Sequence, residues 1–352
     1  MRYILVKNLK PGMVVARPFY NKNLSALLNE GIALKASHIN SIKRIGVRGI
    51  YIHDEISKDV EFTPIIDDKT KLIFAGAVNE MFEGVGKALP HKNSGLKDII
   101  RKLINQVSDN QDAVVNMLDL KQFDDYTFQH CINVCILSII IGVHRGFSEK
   151  TLENLAMAAA YHDIGKLRVP LSIVNKPGEL DDYELEEMRQ HAALGVEYLK
   201  TTEELNSHIE MGILQHHERY NGTGYPLALK GEEISEIARI ISIADVFDAI
   251  TSKRSYKEAS LPSEAVEYIM GNAGRHFDYD IVKVFLNRVA AYPVGLTVEL
   301  NNGLRGIVVE TFEDFTMRPK VKVLPKDPSD EEYYIDLRSP YALTLTVTRV
   351  IE

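Results

Sequence analysis

The sequence predicts a mainly helical protein with a small α/β module at its N-terminus and a small β module at its C-terminus. Between about residues 70 and 290, apolar residues recur at spacings of three and four, as on one face of an amphipathic helix. Past residue 290 the apolar residues alternate around Asn302-Gly303, a pair that favours a β-hairpin. With 352 residues, the chain is long enough for one large core and small modules beside it.

These changes in pattern divide the chain into four regions. Residues 1–64 combine short β-type runs with a brief helical segment and are predicted to form the N-terminal α/β module. Residues 65–116 are expected to be connecting helices, and residues 117–290 the main helical domain. Residues 291–352 contain the hairpin and three further strand candidates, which together indicate a small β-barrel-like module.

Composition excludes several classes of protein. The net charge of −8 argues against DNA as a partner, because nonspecific binding to nucleic acid needs a broad basic surface. The N-terminus lacks a secretory signal and no apolar run is long enough for a bilayer, so we expect a cytoplasmic protein without a membrane span. Cys131 and Cys135 lie four residues apart in an apolar helix and are predicted to be small core residues.

Two of the helical segments begin with a recognisable cap. Asp181 and Glu184 are spaced as the two partners of a capping box, and so are Ser207 and Glu210. We therefore expect one helix to start at each of these pairs.

Histidine and aspartate residues concentrate where the apolar helical runs end. His162-Asp163 close the run "NLAMAAAYHD", and Asp245 is surrounded by apolar neighbours in "RIISIADVFDAI". Three further places carry histidine: His130, His191 and the pair His216-His217. A single histidine on a helix is more often a hydrogen-bonded core or surface residue. Because several lie on successive helices together with buried aspartates and without thiolates, the pattern predicts a site for Fe, Mn, Zn or Co.

Three segments carry a specific resemblance to a known family. The stretches "YHDIGKLRVP", "HHERYNGTGYP" and "ADVFDAITSKRSYK" resemble the motifs of the HD-GYP family, a branch of the HD-domain metallophosphohydrolases. The similarity runs from about residue 117 to residue 287, with the motifs in the same order and spacing. It implies a helical HD-domain bundle with two divalent metal ions, often iron. It also implies hydrolysis of cyclic di-GMP to linear pGpG and, in many members, on to GMP.

The resemblance also implies a set of metal ligands. The first metal would be bound by His130, His162, Asp163 and Asp245, and the second by Asp163 as a bridge together with His191, His216 and His217. Two cations bound in this way can share a hydroxide that attacks the phosphate, and they stabilise the departing oxygen. The resemblance implies catalytic roles for Asp163 and for Lys166, which matches the lysine of the family's HDxGK motif.

A third metal is not expected. Some family members bind one through a glutamate that lies one helical turn before the first histidine, where this chain has Tyr126. Tyrosine is a poor ligand near neutral pH because its hydroxyl titrates near pH 10. Asp124 or Asp125 remains open as a source of an oxygen ligand.

Substrate contacts are also implied by the resemblance. Lys166, Arg254 and Lys257 would contact the substrate's phosphates, to which arginine and lysine side chains are suited. Asp248 follows Asp245 by one helical turn and is expected to orient a metal ligand or a basic residue.

The loop after His217 has a predicted role of its own. Gly222 and Gly224 permit close approach of the backbone, and Tyr225 would line the substrate pocket. In the family this Gly-Tyr-Pro loop has also been linked to protein partners. A well-made tight turn is the simpler interpretation of the same residues.

Three functions remain open at this point. The first is a cyclic di-GMP phosphodiesterase, and the second is an HD-domain hydrolase of another dinucleotide, such as cyclic GMP-AMP. The third is a catalytically silent protein that binds a nucleotide and signals through its end modules. The predicted ligand set is intact, which favours an enzyme. A homodimer is left open, and the sequence does not separate sensing from packing as the role of the N-terminal module.

Overall fold

Helices make up most of the part of the chain that the structure describes. The computed structural model describes residues 1–20, 25–45, 47–85, 94–120, 126–202, 205–252, 259–325 and 331–351. The fold is mainly α, as predicted, with small sheets near the N-terminus and one larger sheet near the C-terminus. The boundaries of the four predicted regions remain predictions.

The N-terminal region contains short strands and one helix. Its elements are β1 (Arg2–Leu5), β2 (Val14–Val15), β3 (Phe19–Tyr20), β4 (Ala26–Leu28), α1 (Ala36–Ile45) and β5 (Gly49–His53). Strand β5 lies between β1 and β2 and is antiparallel to both, whereas β3 pairs with β4. Ile39 and Ile42 of α1 pack with the apolar side chains of β5, so this region has a small core of its own.

Twelve described helices follow. They are α2 (Asp68–Val85), α3 (Ser94–Asp109), α4 (Met117–Leu120), α5 (Tyr126–His144), α6 (Glu149–Tyr161), α7 (Leu171–Val174), α8 (Asp182–Arg189), α9 (His191–Thr202), α10 (Ser207–Gln215), α11 (Glu236–Thr251), α12 (Pro262–Gly271) and α13 (Tyr279–Arg288). A 3-10 turn, Ile164–Arg168, connects α6 to α7.

Helix α5 lies at the centre of the bundle. It contacts α2, α3, α6, α11 and α13, and its residues 130–142 are all buried. A helix that is apolar on all sides has to be enclosed by others, because no face of it gains from contact with water. The prediction that Cys131 and Cys135 are core residues is confirmed, since both are fully buried free cysteines of α5.

One of the two predicted helix caps is confirmed. The side chain of Asp181 accepts from the backbone N–H of Glu184, and Glu184 returns a bond to the N–H of Asp181, so α8 starts with a capping box. The predicted cap at Ser207 is wrong. Asn206 caps α10 instead, because its Oδ1 accepts from two backbone N–H groups of the first turn.

The C-terminal region forms an open antiparallel sheet. Its strands are β6 (Thr297–Leu300), β7 (Arg305–Glu310), β8 (Lys320–Val323), β9 (Tyr334–Asp336) and β10 (Val347–Val350), in the order β10-β6-β7-β8-β9. The predicted hairpin is confirmed, with Gly303 at a positive φ of 82° between β6 and β7. The predicted barrel-like closure is wrong for the described residues. Strands β9 and β10 are short and lie at opposite edges, so they do not pair.

A buried lysine links the two ends of the chain. Lys322 of β8 is 1% exposed, and its ammonium lies 2.9 Å from Asp59 and 3.0 Å from Glu332. The hydroxyl of Tyr334 donates to the second oxygen of Asp59 at 2.6 Å. These contacts fix the C-terminal sheet against the segment that follows β5.

The sequence predicts no membrane-spanning segment. Among the described helices, none combines the length and the apolar character that crossing a bilayer requires.

Helix α10 approaches α6 and α11 closely through a glycine. A Cβ atom at Gly212 would lie 2.6 Å from Cγ2 of Ile237 and 2.7 Å from Cβ of Ala158. We predict that Gly212→Ala lowers the free energy of unfolding by about 1–3 kcal/mol through overpacking. Gly271→Ala is the control, because its added methyl group meets no atom within 4 Å. Urea unfolding measures both, and equal stability of the two variants would contradict the close approach.

Candidate metal centre

The His-Asp pair lies where α6 ends. The last two turns of α6 are buried, and His162 is its C-terminal cap. Asp163 then has φ −101° and ψ 2°, and the 3-10 turn begins after it. A Cβ atom at Gly165 would lie 1.8 Å from the backbone oxygen of His191. Only glycine therefore allows this turn to lie directly on the start of α9, and the contact brings Asp163 and His191 together.

The predicted ligands converge from five separate elements. His130 lies on α5, the His-Asp pair follows α6, and Asp245 lies on α11. His216 caps the C-terminal end of α10, as predicted. His191 is the first residue of α9, because the helix that begins after Asp181 ends at Arg189.

These side chains form two buried clusters of metal-ligand type. Within each cluster the nitrogen and oxygen atoms lie within 4.8 Å of one another. One cluster consists of His130, His162 and Asp245, and the other of Asp163, His191, His216 and His217. The resemblance implies the same two sets of residues, except that it also counts Asp163 among the ligands of the first metal, whereas this clustering places Asp163 with the second set only.

Asp163 lies between the two clusters. Its Oδ2 is 3.6 Å from Nε2 of His130 and 3.5 Å from Nε2 of His162, whereas its Oδ1 is 3.5 Å from Nε2 of His191. Among the described residues, Oδ1 is buried and has no hydrogen-bond partner. A buried carboxylate oxygen without a partner is costly in free energy, and a cation removes that cost. The donor set therefore fits a metal site with imidazole and carboxylate ligands.

Backbone carbonyl groups orient three of the imidazole rings. Nδ1 of His162, His191 and His216 lies 2.6–2.7 Å from the carbonyl oxygen three residues earlier. A carbonyl oxygen only accepts, so each Nδ1 carries the proton and each Nε2 presents its lone pair to the cluster. This is the arrangement found around metal-binding histidines, in which the outer nitrogen is held by a second group.

Asp248 holds the fourth ring. Its Oδ2 lies 2.8 Å from Nδ1 of His130, whose Nε2 is 3.1 Å from Oδ1 of Asp245. Oδ1 of Asp248 accepts from Asn133, and Asn133 accepts from Gln129, both on α5. The structure thus places Asp248 where it orients a predicted ligand. The sequence reasoning missed Asn133 and Gln129, because their amides gain a role only when α5 packs against α11.

Burial lowers the pKa of four of the imidazoles, His191 among them. It lowers the pKa of His162, and it lowers the pKa of His216 well below its usual value, with repulsion from His217 adding to the effect. Burial also lowers the pKa of His217 to about 3, although the attraction of Asp245 opposes it. Neutral imidazoles are the form that binds metal.

The carboxylates remain ionised in the same environment. Burial alone would raise the pKa of Asp163, but Lys166 and the surrounding histidines hold that pKa well below its usual range. Burial likewise opposes ionisation of Asp245, but the hydrogen bond and charge of His130 lower its pKa. His130 differs from the other rings because Asp245 and Asp248 outweigh burial and raise its pKa to about 9.

Lys166 lies at the edge of the centre. Its ammonium is 2.5 Å from Oδ2 of Asp163, and its side chain is 32% exposed. It therefore contacts the bridging carboxylate and also reaches towards solvent. A phosphate that enters from that side would meet a positive charge.

The Gly-Tyr-Pro loop lies against the second cluster. The ring of Tyr225 stacks on His217, with centroids 4.8 Å apart and an interplanar angle of 27°. The carbon of the Arg189 guanidinium lies 5.4 Å from the centre of the same ring. Gly222 has a φ of 82°, and a Cβ atom at Gly224 would lie 2.3 Å from the backbone nitrogen of Arg219. Both glycines are thus required by the loop's own backbone.

Several predicted residues lie outside the described part of the chain. These are Asp124 and Asp125, and the predicted phosphate contacts Arg254 and Lys257. Tyr126 begins α5, but its side chain is not among those described.

The sequence is similar to that of known HD-domain proteins. A family model described as "HD domain" matches residues 104–281. A cyclic di-GMP phosphodiesterase of Pseudomonas aeruginosa is 34% identical over 247 residues, which are 70% of this chain and 59% of that protein. The 3'3'-cGAMP-specific phosphodiesterase 2 of Vibrio cholerae is 39% identical over 142 residues, 40% of this chain and 27% of that protein.

A solved structure shares the fold. It is that of Bd1817, an HDG"Y"P protein from Bdellovibrio bacteriovorus, with a TM-score of 0.51 at 19% identity, covering 81% of this chain and 97% of that one. The chain belongs to the HD-domain family, because the family model matches half of it. Within that family it is of the HD-GYP type, as its relatives and its motifs indicate. This chain spans 59% and 27% of the length of these two relatives, so the similarity alone does not assign their activities to it.

Removing the bridging carboxylate should affect both clusters. We predict that Asp163→Ala reduces bound metal from two equivalents to less than one, because each cluster loses an oxygen ligand. His208→Ala should retain both equivalents, since His208 is exposed near the other end of α10. Metal analysis after anaerobic loading with Mn(II) measures this. Two equivalents retained by Asp163→Ala would contradict the bridging position.

The contact between Asp248 and His130 gives a separate prediction. Asp248→Asn should weaken metal binding about 10- to 100-fold, because an amide has one acceptor oxygen where the carboxylate has two, so His130 and Asn133 can no longer both donate to this side chain, and its negative charge is lost. Asp280→Asn, on the exposed start of α13, should leave the affinity unchanged. Competition with a chelator gives the dissociation constants, and an unchanged constant for Asp248→Asn would exclude the orienting role.

Proposed function

We propose that this protein is a metal-dependent phosphodiesterase that hydrolyses cyclic di-GMP to pGpG and then to GMP. The observation that carries the proposal is the position of Asp163, whose two oxygens face two different sets of histidines. A carboxylate shared by two cations is typical of hydrolases that act on phosphate esters. The relatives named above act on cyclic dinucleotides and supply the class of substrate.

The proposed ligands divide as the clusters do. His130, His162 and Asp245 would hold one divalent cation together with Asp163, and His191, His216 and His217 would hold the other with the same carboxylate. Iron is the metal we propose first, with Mn, Zn and Co as alternatives, because imidazole and carboxylate ligands suit all four. When bound, the two cations would lower the pKa of a water molecule and neutralise charge on the phosphate.

In this proposal the protein's own groups compensate charge and orient the metal ligands. Lys166 offsets negative charge on the phosphodiester while it keeps Asp163 ionised. Asp248 and the backbone carbonyls hold the imidazoles in the orientation that binds cations. A water oxygen bonds to phosphorus as the bond from phosphorus to the 3′ oxygen breaks, and a proton from that water ends on the departing 3′ oxygen. No side chain forms a covalent bond to the substrate.

Cyclic GMP-AMP is the second candidate substrate. The relative from Vibrio cholerae whose name specifies 3'3'-cGAMP has 39% identity to this chain, and the relative named for cyclic di-GMP has 34%. These two identities are too similar to decide whether the substrate carries two guanines or one guanine and one adenine. The longer matched segment favours cyclic di-GMP, which shares 247 residues rather than 142.

Activity and the role of Lys166 can be tested together. Protein loaded anaerobically with Mn(II) or Fe(II) should convert cyclic di-GMP to pGpG and GMP, resolved by chromatography, with a higher kcat/KM than for 3'3'-cGAMP. Lys166→Ala should lower kcat about 100-fold and retain two metals, because transition-state charge loses its counter-charge. Lys200→Ala is the matched control, since Lys200 also forms a 2.5 Å ion pair, with Glu210, but on α9.

Each outcome separates the candidates. A higher kcat/KM for 3'3'-cGAMP would replace the proposed substrate with that dinucleotide. Protein that binds two metals and one nucleotide but releases no product would be the silent binding protein instead. Full activity of Lys166→Ala would exclude the charge-offsetting role.

A further inference from the structure

Glu218 is a buried carboxylate that the proposed chemistry does not use. It follows His217 directly and is 2% exposed, but it belongs to neither cluster of metal-ligand type. Its Oε1 accepts from the backbone N–H of Leu227 at 2.7 Å, and its Oε2 accepts from the N–H of Leu229 at 3.1 Å. Both oxygens are thus directed at the chain that leaves the Gly-Tyr-Pro loop.

Only a carboxylate satisfies this arrangement. Both backbone partners are donors, so both side-chain positions must accept. A glutamine at this position would turn an NH₂ group towards one backbone N–H and leave two donors facing each other. Because the site is buried, water does not restore the lost bond, and one end of the loop would be released.

The loop closes back on the residue that holds it. The backbone of Gly224 packs on that of Glu218, where a Cβ atom would lie 2.4 Å from the Glu218 Cα atom. The N–H of Tyr225 donates to the carbonyl oxygen of His217 at 3.3 Å. Glu218 therefore ties the loop's exit at Leu227 and Leu229 to its entrance.

This closure decides where the tyrosine lies. The ring of Tyr225 stacks on His217, a member of the second cluster, and the guanidinium of Arg189 lies close to the same ring. Arg189 precedes His191 by two residues, so Tyr225 contacts one predicted ligand, His217, and a side chain that lies close in sequence to another. A displacement of the loop's exit would move this ring relative to the metal centre.

We propose that Glu218 is a positioning residue that sets the affinity for the dinucleotide substrate by holding Tyr225 against His217. The inference rests on the proposed function and adds to it a residue that touches neither the metals nor the substrate. It acts through the loop, so its loss raises KM more than it lowers kcat.

The first experiment is a double-mutant cycle on the metal-loaded full chain with cyclic di-GMP. Glu218→Gln should raise KM about tenfold and change kcat less than about threefold, with two metals retained. Tyr225→Ala should raise KM similarly. In the Tyr225→Ala background, Glu218→Gln should add no further change, because the residue it positions is already gone. Effects on KM that multiply would overturn the proposal.

A second variant removes a donor rather than the acceptor. Leu227→Pro lacks the backbone N–H that Oε1 accepts and leaves the carboxylate in place. It should raise KM as Glu218→Gln does, with two metals retained. A KM equal to that of the unmodified protein would contradict the proposal even if Glu218→Gln failed to fold.

Hydrogen exchange tests the loop without any turnover. In peptides that cover residues 219–231, Glu218→Gln should lose protection of the amides of Leu227 and Leu229. Glu233→Gln is the matched control, because this exposed glutamate accepts from the N–H of Lys230 at 2.9 Å in the same region and should not alter that protection. Unchanged exchange in Glu218→Gln overturns the positioning role. Altered exchange in a protein that hydrolyses neither dinucleotide would instead refute the proposed function and leave Glu218 as the group that holds the loop.

Discussion

The carboxylate of Asp163 is the group on which the rest of the centre depends. It is buried, ionised and placed between two sets of imidazole nitrogens, and one of its oxygens has no hydrogen-bond partner among the described residues. An anion in this position is costly unless positive charge surrounds it. Lys166 supplies one such charge, and the open lone pairs of the histidines indicate where cations would supply the rest. The fold therefore places one buried carboxylate within reach of a lysine and of two sets of imidazole nitrogens.

Helix ends explain how distant residues reach this carboxylate. His162, His191 and His216 all lie at a helix terminus, where a carbonyl three residues earlier can accept from the ring. The helices themselves are fixed by apolar burial around α5, which needs no metal. Gly165 permits the close backbone approach to α9 that a side chain would block. The helical scaffold and the predicted metal ligands thus depend on different residues.

Much of this could be predicted from the sequence, and the remainder has physical reasons. Residue types indicated which side chains could bind a metal, because a metal centre needs particular donors, and the resemblance to the HD-GYP motifs implied their grouping. Local capping signals were less reliable where two neighbouring residues can both serve as the cap. Asn206 rather than Ser207 caps α10. Whether the C-terminal sheet closes depends on pairing between strands that are distant in the sequence, and no local sequence pattern indicates that pairing. Asn133 and Glu218 gained their roles only from partners brought close by folding.

The central claim is that one carboxylate bridges two cations. X-ray absorption spectroscopy of protein loaded with two equivalents of Mn(II) tests it most directly, because scattering between neighbouring metals reports their separation. The account predicts a metal–metal distance of about 3.5–4 Å, as in other two-metal phosphate-processing sites. Two bound equivalents without a metal–metal contribution, or saturation at a single equivalent, would contradict it.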